Sequence, residues 1–321
     1  MLPSNVTHPI YTDPEKAREY LEAIRWPDGP ICPHCGVVNQ ATRLQGQKHR
    51  AGLLQCQACE KQFSVTVGTL YERSHVPLNK WLLATHLLCS SKKGISAHQL
   101  YRDLGFGSYR TAWFMAHRIR EGMRAGQLDP MGGEGKTVEV DETYFGDIPE
   151  AKRRQFKTSG RPFQKSPHGV GKKRAIVALV ERGGAVRSFH AAMADGETVA
   201  KIVRDNIHRE TRLHTDESKL YKKIGAEFKA HETVKHADDE YVRGDVTTNT
   251  VEGYFSIFKR GMTGVYQHCA EKHLHRYLAE FDFRYSNRSA LGIEDAERAV
   301  KALEGIAGKR LTYRRIDEAG L

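Results

Sequence analysis

Residues 138–146 read VEVDETYFG, residues 213–218 read LHTDES and residues 247–261 read TTNTVEGYFSIFKRG. The first alternates polar and apolar residues and predicts a strand whose apolar part ends at Asp141. The second predicts a shorter strand ending at Asp216. In the third, Val251, Phe255, Phe258 and Met262 fall at i, i+4, i+7 and i+11, the apolar stripe of a helix. Asn249, Glu252, Ser256 and Lys259 fall on its polar face, which carries Glu252 with a basic residue two turns beyond it. Between Asp216 and Glu252 lie the 35 residues 217–251.

Outward from these stretches the pattern is mixed α/β. Residues 173–181, KRAIVALVE, form a nearly continuous apolar strand, GlyGly at 183–184 a hairpin turn and 185–193 a third strand. A helix over 197–208, the strand 211–215, a helix over 217–229 and a strand near 232–236 follow. Between the first two strands, residues 151–174 hold nine positive charges and no acid. This loop, with Lys172, Lys173 and Arg174 at its end, is expected to contact DNA phosphate. A plain solvated loop is the alternative.

The N-terminal half differs. Residues 13–25 predict an amphipathic helix with Asp13 as its cap and Pro14 in its first turn. Cys32-Pro-His-Cys35 and, after 20 residues, Cys56-Gln-Ala-Cys59 supply four thiolates at the spacing of a zinc ribbon, with strands expected at 40–44, 50–55 and 61–66. A unit this small needs the metal to fold. Residues 78–90 predict an apolar-faced helix, in which Cys89 is a core residue. Residues 95–124 predict two helices about a Gly-containing turn, the second carrying Arg110, His117, Arg118, Arg120 and Arg124. This matches a helix-turn-helix with Arg118 and Arg120 on DNA, against the alternative of an αα-hairpin with a solvated basic face. Residues 127–135 are Gly-rich and polar and read as a linker. Near the C-terminus, 268–288 predicts a helix and 293–305 another, within a charged tail.

Of the other acids, Glu139, Glu142, Asp147 and the run Asp238-Asp239-Glu240 read as solvated surface. Asn249-x-x-Glu252 also has the form of a capping box. Asn249 is therefore either the helix cap or a residue that points into the site and orients water or DNA.

The 321 residues carry a formal charge of +11, which favours an anionic partner such as nucleic acid. The N-terminus has no apolar secretion core, and the longest apolar runs, such as 175–180, are too short for a bilayer. A soluble cytoplasmic protein, nucleoid-associated when bound to DNA, is expected.

Together, VEVDETYFG, HTD, TTNTVEGYFSIFKRG, HLHRYLAEFDFRYSNR and the paired cysteines resemble one group of bacterial insertion-sequence DDE transposases, over roughly residues 15–290. The resemblance implies an RNase H-like catalytic domain over 135–290. Before it would come a lead-in over 1–30, a zinc ribbon over 31–67 and a helix-turn-helix-like segment over 75–130; a tail over 291–321 would follow. It also implies one structural Zn²⁺ on the cysteines and two Mg²⁺ (or Mn²⁺) held by Asp141, Asp216 and Glu252, with Asp141 bridging both. Lys259, Arg260 and Asn249 would face DNA. Terminal inverted repeats and target DNA would be the partners, and synapsis of two ends would require at least a dimer. A nuclease without strand transfer and a domesticated zinc-ribbon regulator are the competing classes.

Overall fold

The computed structural model describes residues 2–46, 48–147 and 173–312. The chain divides into two compact units, residues 1–125 with 287–321, and residues 126–286.

In the first unit, α1 (Pro9–Thr12) leads into α2 (Pro14–Arg25). Asp13 caps α2 by accepting the backbone N–H of Glu15 at 2.8 Å and of Lys16 at 3.4 Å, which satisfies donors that a helix start leaves free. Strands β1 (Ala41–Arg43), β2 (Leu54–Cys56) and β3 (Gln62–Phe63) form a small antiparallel sheet in that order. They are shorter than expected. Leu54 and Phe63 turn inward and are buried, and Trp26 meets Phe63 edge-on at 5.8 Å. Then come α3 (Leu78–Ser90), α4 (Ala97–Asp103) and α5 (Tyr109–Met123), the last two capped by Ser96 and Ser108.

The second unit is built on one five-stranded sheet. Strand β4 (Thr137–Asp147) pairs antiparallel with β5 (Lys173–Glu181), which pairs antiparallel with β6 (Val186–Ala191). Helix α6 (Gly196–Asn206) precedes β7 (Arg212–Asp216), which runs parallel to β4. The short α7 (Lys222–Gly225) precedes β8 (Ala230–Val234), parallel to β7. The spatial order is β6-β5-β4-β7-β8, the RNase H-like arrangement. A small hairpin, β9 (Val242–Arg243) with β10 (Val246–Thr247), leads to α8 (Asn249–Gly261) and α9 (Glu271–Ser286).

The continuous apolar run of β5 follows from cover on both faces. Val177 and Leu179 pack with Val138, Val140 and the α6 residues Val199 and Val203. Ile176, Ala178 and Val180 pack with Val251, Phe255 and Phe258 of α8 and Leu278 and Phe281 of α9. Half-buried Asp282 of α9 accepts from Ser188 N at 2.8 Å, Ser188 Oγ at 2.7 Å and Tyr254 Oη at 2.6 Å, tying α8 and α9 to β6. Burial pushes that carboxyl up to about 7.

Two expectations change. Asp141 lies in the middle of β4, which continues to Asp147 on β5. Of the helix expected over 217–229, only Lys222–Gly225 is helical. The carboxylate of Asp216 accepts the Ser218 N–H at 3.0 Å, and this local bond makes a turn where a helix would begin.

The C-terminal segment returns to the first unit as α10 (Asp295–Glu304), with Ala299, Ala302 and Leu303 buried. Its approach to α5 depends on paired glycines, since a Cβ on Gly305 would lie 2.2 Å from the Gly122 carbonyl oxygen. Arg298 donates to the carbonyls of Cys89 (2.8 Å), Asn287 (2.5 Å) and Ile293 (3.1 Å), closing the end of α3 onto α10.

Candidate active site and zinc centre

The strand register brings two acids level. Glu139 of β4 pairs with His214 of β7, so two residues further along these parallel neighbours Asp141 and Asp216 come side by side. Val138 and Val140 pack towards α6, which turns Asp141 to the opposite face, beneath α8. Asp141 Oδ1 accepts the N–H of Glu142 at 2.7 Å. Burial pushes the Asp141 carboxyl up to about 8, and the charges of Glu142, Asp216 and Glu252 push it the same way. Burial raises Asp216 as well, against the Ser218 N–H, which holds it down.

Glu252 stands exposed on the first turn of α8. Thr248 Oγ1 donates to Glu252 Oε1 at 2.9 Å, and His236 Nε2 lies 3.6 Å from the same oxygen. His236 is held in turn by Glu217, which accepts the backbone N–H groups of His236 at 2.8 Å and Ala237 at 3.1 Å. The capping-box reading fails here. The cap position belongs to Thr248, and Asn249 is an exposed helical residue whose N–H goes to Thr247 Oγ1 at 3.0 Å.

Three residues of this region escaped the sequence reading. His236 follows β8, and a residue just past the end of one parallel strand sits beside the end of the next; that placement is its only signal. Glu142 does face away from Asp141, yet it is not solvated. Its carboxylate accepts the hydroxyl of Tyr221, a residue buried in the α6 layer, and burial raises its pKa. Glu139, also expected at the surface, is fully buried. It accepts the N–H groups of Thr250 at 2.8 Å and Val251 at 3.0 Å and pairs with Arg182 at 2.7 Å.

The residues expected to face DNA separate into two groups. Asn249, Lys259 and Arg260 are exposed along α8, with Arg260 Nε donating to the Ser256 carbonyl at 3.2 Å. Lys173 is exposed at the start of β5, while Arg174 is partly buried and donates to the Cys269 carbonyl at 3.0 Å. Lys172 and the rest of the basic loop back to 151 lie outside the described residues. On α5 the structure corrects the expectation. Arg120 is 1% exposed and His117 is buried, because this side of the helix packs into the first unit with Met115, Ala116 and Ile119. Arg118 is half-buried, lies 4.8 Å over the Phe114 ring and donates to the Glu72 carbonyl at 3.4 Å.

The four cysteines converge, with all four sulfurs within 4.8 Å of one another. Cys32 Sγ lies 3.7 Å from Cys59 Sγ and Cys35 Sγ 3.6 Å from Cys56 Sγ. Zn–S bonds of about 2.3 Å in a tetrahedron give sulfur separations of about 3.8 Å, so the thiolates fit zinc. No carboxylate trio among the described residues is gathered as tightly. Ligands shared between two ions about 3.5–4 Å apart need a wider spread than ligands of a single ion. Hard oxygen donors at a site where burial and like charge oppose ionisation suit divalent Mg²⁺ or Mn²⁺.

Residues 132–286 match a family model described as the ISXO2-like transposase domain, and residues 12–62 match the transposase zinc-ribbon domain. The chain is 27% identical over 281 residues to an uncharacterized protein in transposable element ISH50 of Halobacterium salinarum, covering 85% of this chain and 91% of that protein. That relative is archaeal, so the likeness extends beyond bacteria. A chain of the simian T-cell lymphotropic virus intasome, solved in complex with PP2A regulatory subunit B56 gamma, is similar at 12% identity and a TM-score of 0.27. The match covers 57% of this chain and spans 63% of that one. No helix among the described residues is long and apolar enough to cross a membrane. Residues 12–62 thus match a transposase zinc ribbon and residues 132–286 an ISXO2-like DDE transposase domain, the domain of enzymes that cleave DNA and transfer its strands.

Proposed function

We propose that this transposase binds the terminal inverted repeats of an insertion sequence and joins their 3′ ends to target DNA, using Asp141, Asp216 and Glu252 as its metal-binding carboxylates. The observation that carries the reading is the strand register that sets Asp141 level with Asp216 on the sheet face covered by α8, whose first turn bears Glu252. Two Mg²⁺ (or Mn²⁺) ions, when bound, supply activation of the attacking oxygen and stabilisation of the leaving oxygen.

The chain's own groups do the rest. Asp141, level with Asp216 in the strand register, would be the shared ligand, with Asp216 and Glu252 each holding one ion. Thr248 and His236 orient the Glu252 carboxylate. Lys259, Arg260 and Asn249, exposed on the same helix, hold the phosphodiester backbone beside the acids. Lys173 extends this basic surface from the start of β5. The zinc ribbon and the α4–α5 pair serve recognition of the ends, and pairing of two ends requires at least two copies of the chain.

Paired end oligonucleotides incubated with target DNA and Mg²⁺ test the whole reading. Joined products that disappear in Asp141→Asn support it. Cleavage without joining would make the protein a nuclease, and specific binding without cleavage a regulator. Cleavage undiminished in Asp141→Asn would remove these carboxylates from the chemistry.

A further inference from the structure

Glu139 lies two residues before Asp141 on β4, so both side chains emerge on the face that α8 covers. Its carboxylate is fully buried and all of its contacts lead to the start of that helix or to Arg182. One oxygen accepts Thr250 N at 2.8 Å and Val251 N at 3.0 Å. The other accepts Thr250 Oγ1 at 2.8 Å and Arg182 Nε at 2.7 Å. Thr250 and Val251 are the second and third residues of α8, whose N–H groups a helix start leaves unsatisfied. A cap residue normally supplies the acceptor from its own side chain, and Thr248 does not. Glu139 supplies it from a different strand, at the helix end where negative charge is favoured.

Arg182 completes the arrangement. Besides Glu139 it donates to the carbonyls of Asp245 at 2.6 Å and Thr247 at 3.1 Å, so one guanidinium grips the segment that enters α8. An ion pair with one fully buried member holds its geometry because every lone pair is satisfied, and removing either member leaves the other uncompensated.

We propose that Glu139, clamped by Arg182, is a positioning residue that fixes how far Glu252 stands from Asp141, and so sets the divalent-ion affinity of the site. This rests on the assignment of Asp141 and Glu252 as metal ligands. The strand that carries one ligand thereby grips the helix that carries another, by two consecutive N–H groups immediately before Glu252.

The test uses the full-length zinc-loaded protein and Mn²⁺ binding followed by electron paramagnetic resonance, with thermal unfolding and end-DNA binding without added Mg²⁺ or Mn²⁺ measured in parallel. Glu139→Ala is expected to weaken Mn²⁺ binding by about 10-fold or more, the range seen when groups that orient metal ligands are removed. Binding of end DNA without added Mg²⁺ or Mn²⁺ should be unchanged. Glu139→Gln keeps an acceptor oxygen for the two N–H groups and should recover part of the loss. If Glu139→Ala loses its cooperative unfolding transition, Glu139→Gln against wild type carries the test alone. A folded variant that binds Mn²⁺ like wild type, while Asp141→Asn and Glu252→Gln do not, overturns the positioning role alone. Wild-type Mn²⁺ binding in Asp141→Asn and Glu252→Gln overturns the ligand assignment, and the positioning role falls with it.

Discussion

Thr248 Oγ1 donates to Glu252 Oε1 at 2.9 Å, so the residue at the cap position of α8 serves a side chain on the helix instead of the helix backbone. Glu139 does the capping, which leaves the hydroxyl free to orient the carboxylate. Thr248→Val should therefore cost less than about 1 kcal/mol of stability, the lower part of the range for loss of a cap. Strand transfer should fall by about 10-fold, as for other groups that orient metal ligands. Denaturant unfolding and a joining assay on the same variant check both halves; a large stability loss would mean that Thr248 supports the fold more than the carboxylate.

Asp141 sets a pH dependence. Its folded pKa is pushed up to about 8 from an ordinary 3.8, so between these values the folded state binds a proton that the unfolded state has released. Metal-free stability should therefore be greatest at the acidic end of that window and fall as pH rises through it. Asp216 and Glu142, also raised, add the same sign. Calorimetry of the zinc-loaded protein without added Mg²⁺ or Mn²⁺ from pH 5 to 8.5 should show Tm declining, with a flatter slope in Asp141→Asn. Mn²⁺ affinity should rise with pH over the same window, because the metal must displace that proton.

Zinc removal should act on the first unit. The ribbon strands are two or three residues long, and structural zinc in comparable small sites supplies on the order of 10 kcal/mol. Chelation, or Cys56→Ser, should make residues 31–67 sensitive to protease and abolish discrimination between end DNA and unrelated DNA. Mn²⁺ binding at the acidic site should persist. Retained discrimination without zinc would count against end recognition by the ribbon.

Lys259 and Arg120 should behave differently although both were candidates for DNA contact. Lys259→Ala should reduce affinity for all sequences and lower the slope of log affinity against log salt by about 1, the signature of one lost phosphate contact. Arg120→Ala should leave that slope unchanged and destabilise the fold by about 3 kcal/mol, because it empties a buried site. Salt titrations of end-DNA binding separate the two.

Arg298 should prove a stability determinant. Its removal leaves the Cys89, Asn287 and Ile293 carbonyls without this donor, for a cost of about 2–3 kcal/mol to the first unit. Chemical unfolding of Arg298→Ala against wild type measures it.

Where Asp141, Asp216 and Glu252 fall on the fold was largely legible because the constraints are local. Asp141 and Asp216 sit in strand patterns with a two-residue period, and Glu252 on a helix whose apolar stripe is written in Val251, Phe255 and Phe258. The cysteines announce themselves by spacing, since two tight turns are what bring thiolates together. Glu139 and Glu142 were misread because a carboxylate on an alternating strand looks solvated unless its remote donor is known. Those donors are Arg182, Thr250 and Val251 for one and Tyr221 for the other, 43 to 112 residues away. The basic look of α5 misled for a related reason: periodicity shows that a helix has two faces, not how much of each the neighbouring elements will cover.

By itself, then, the sequence determined the mixed α/β layer, the thiolate cluster and which acids lie on strands or on a helix face, because those follow from backbone period and turn chemistry. Tertiary structure alone decided that α10 joins the first unit, that Arg120 is buried, and that Glu139 and Arg182 grip the start of α8. These outcomes depend on which distant donors and apolar surfaces meet, and no periodicity along the chain encodes that meeting.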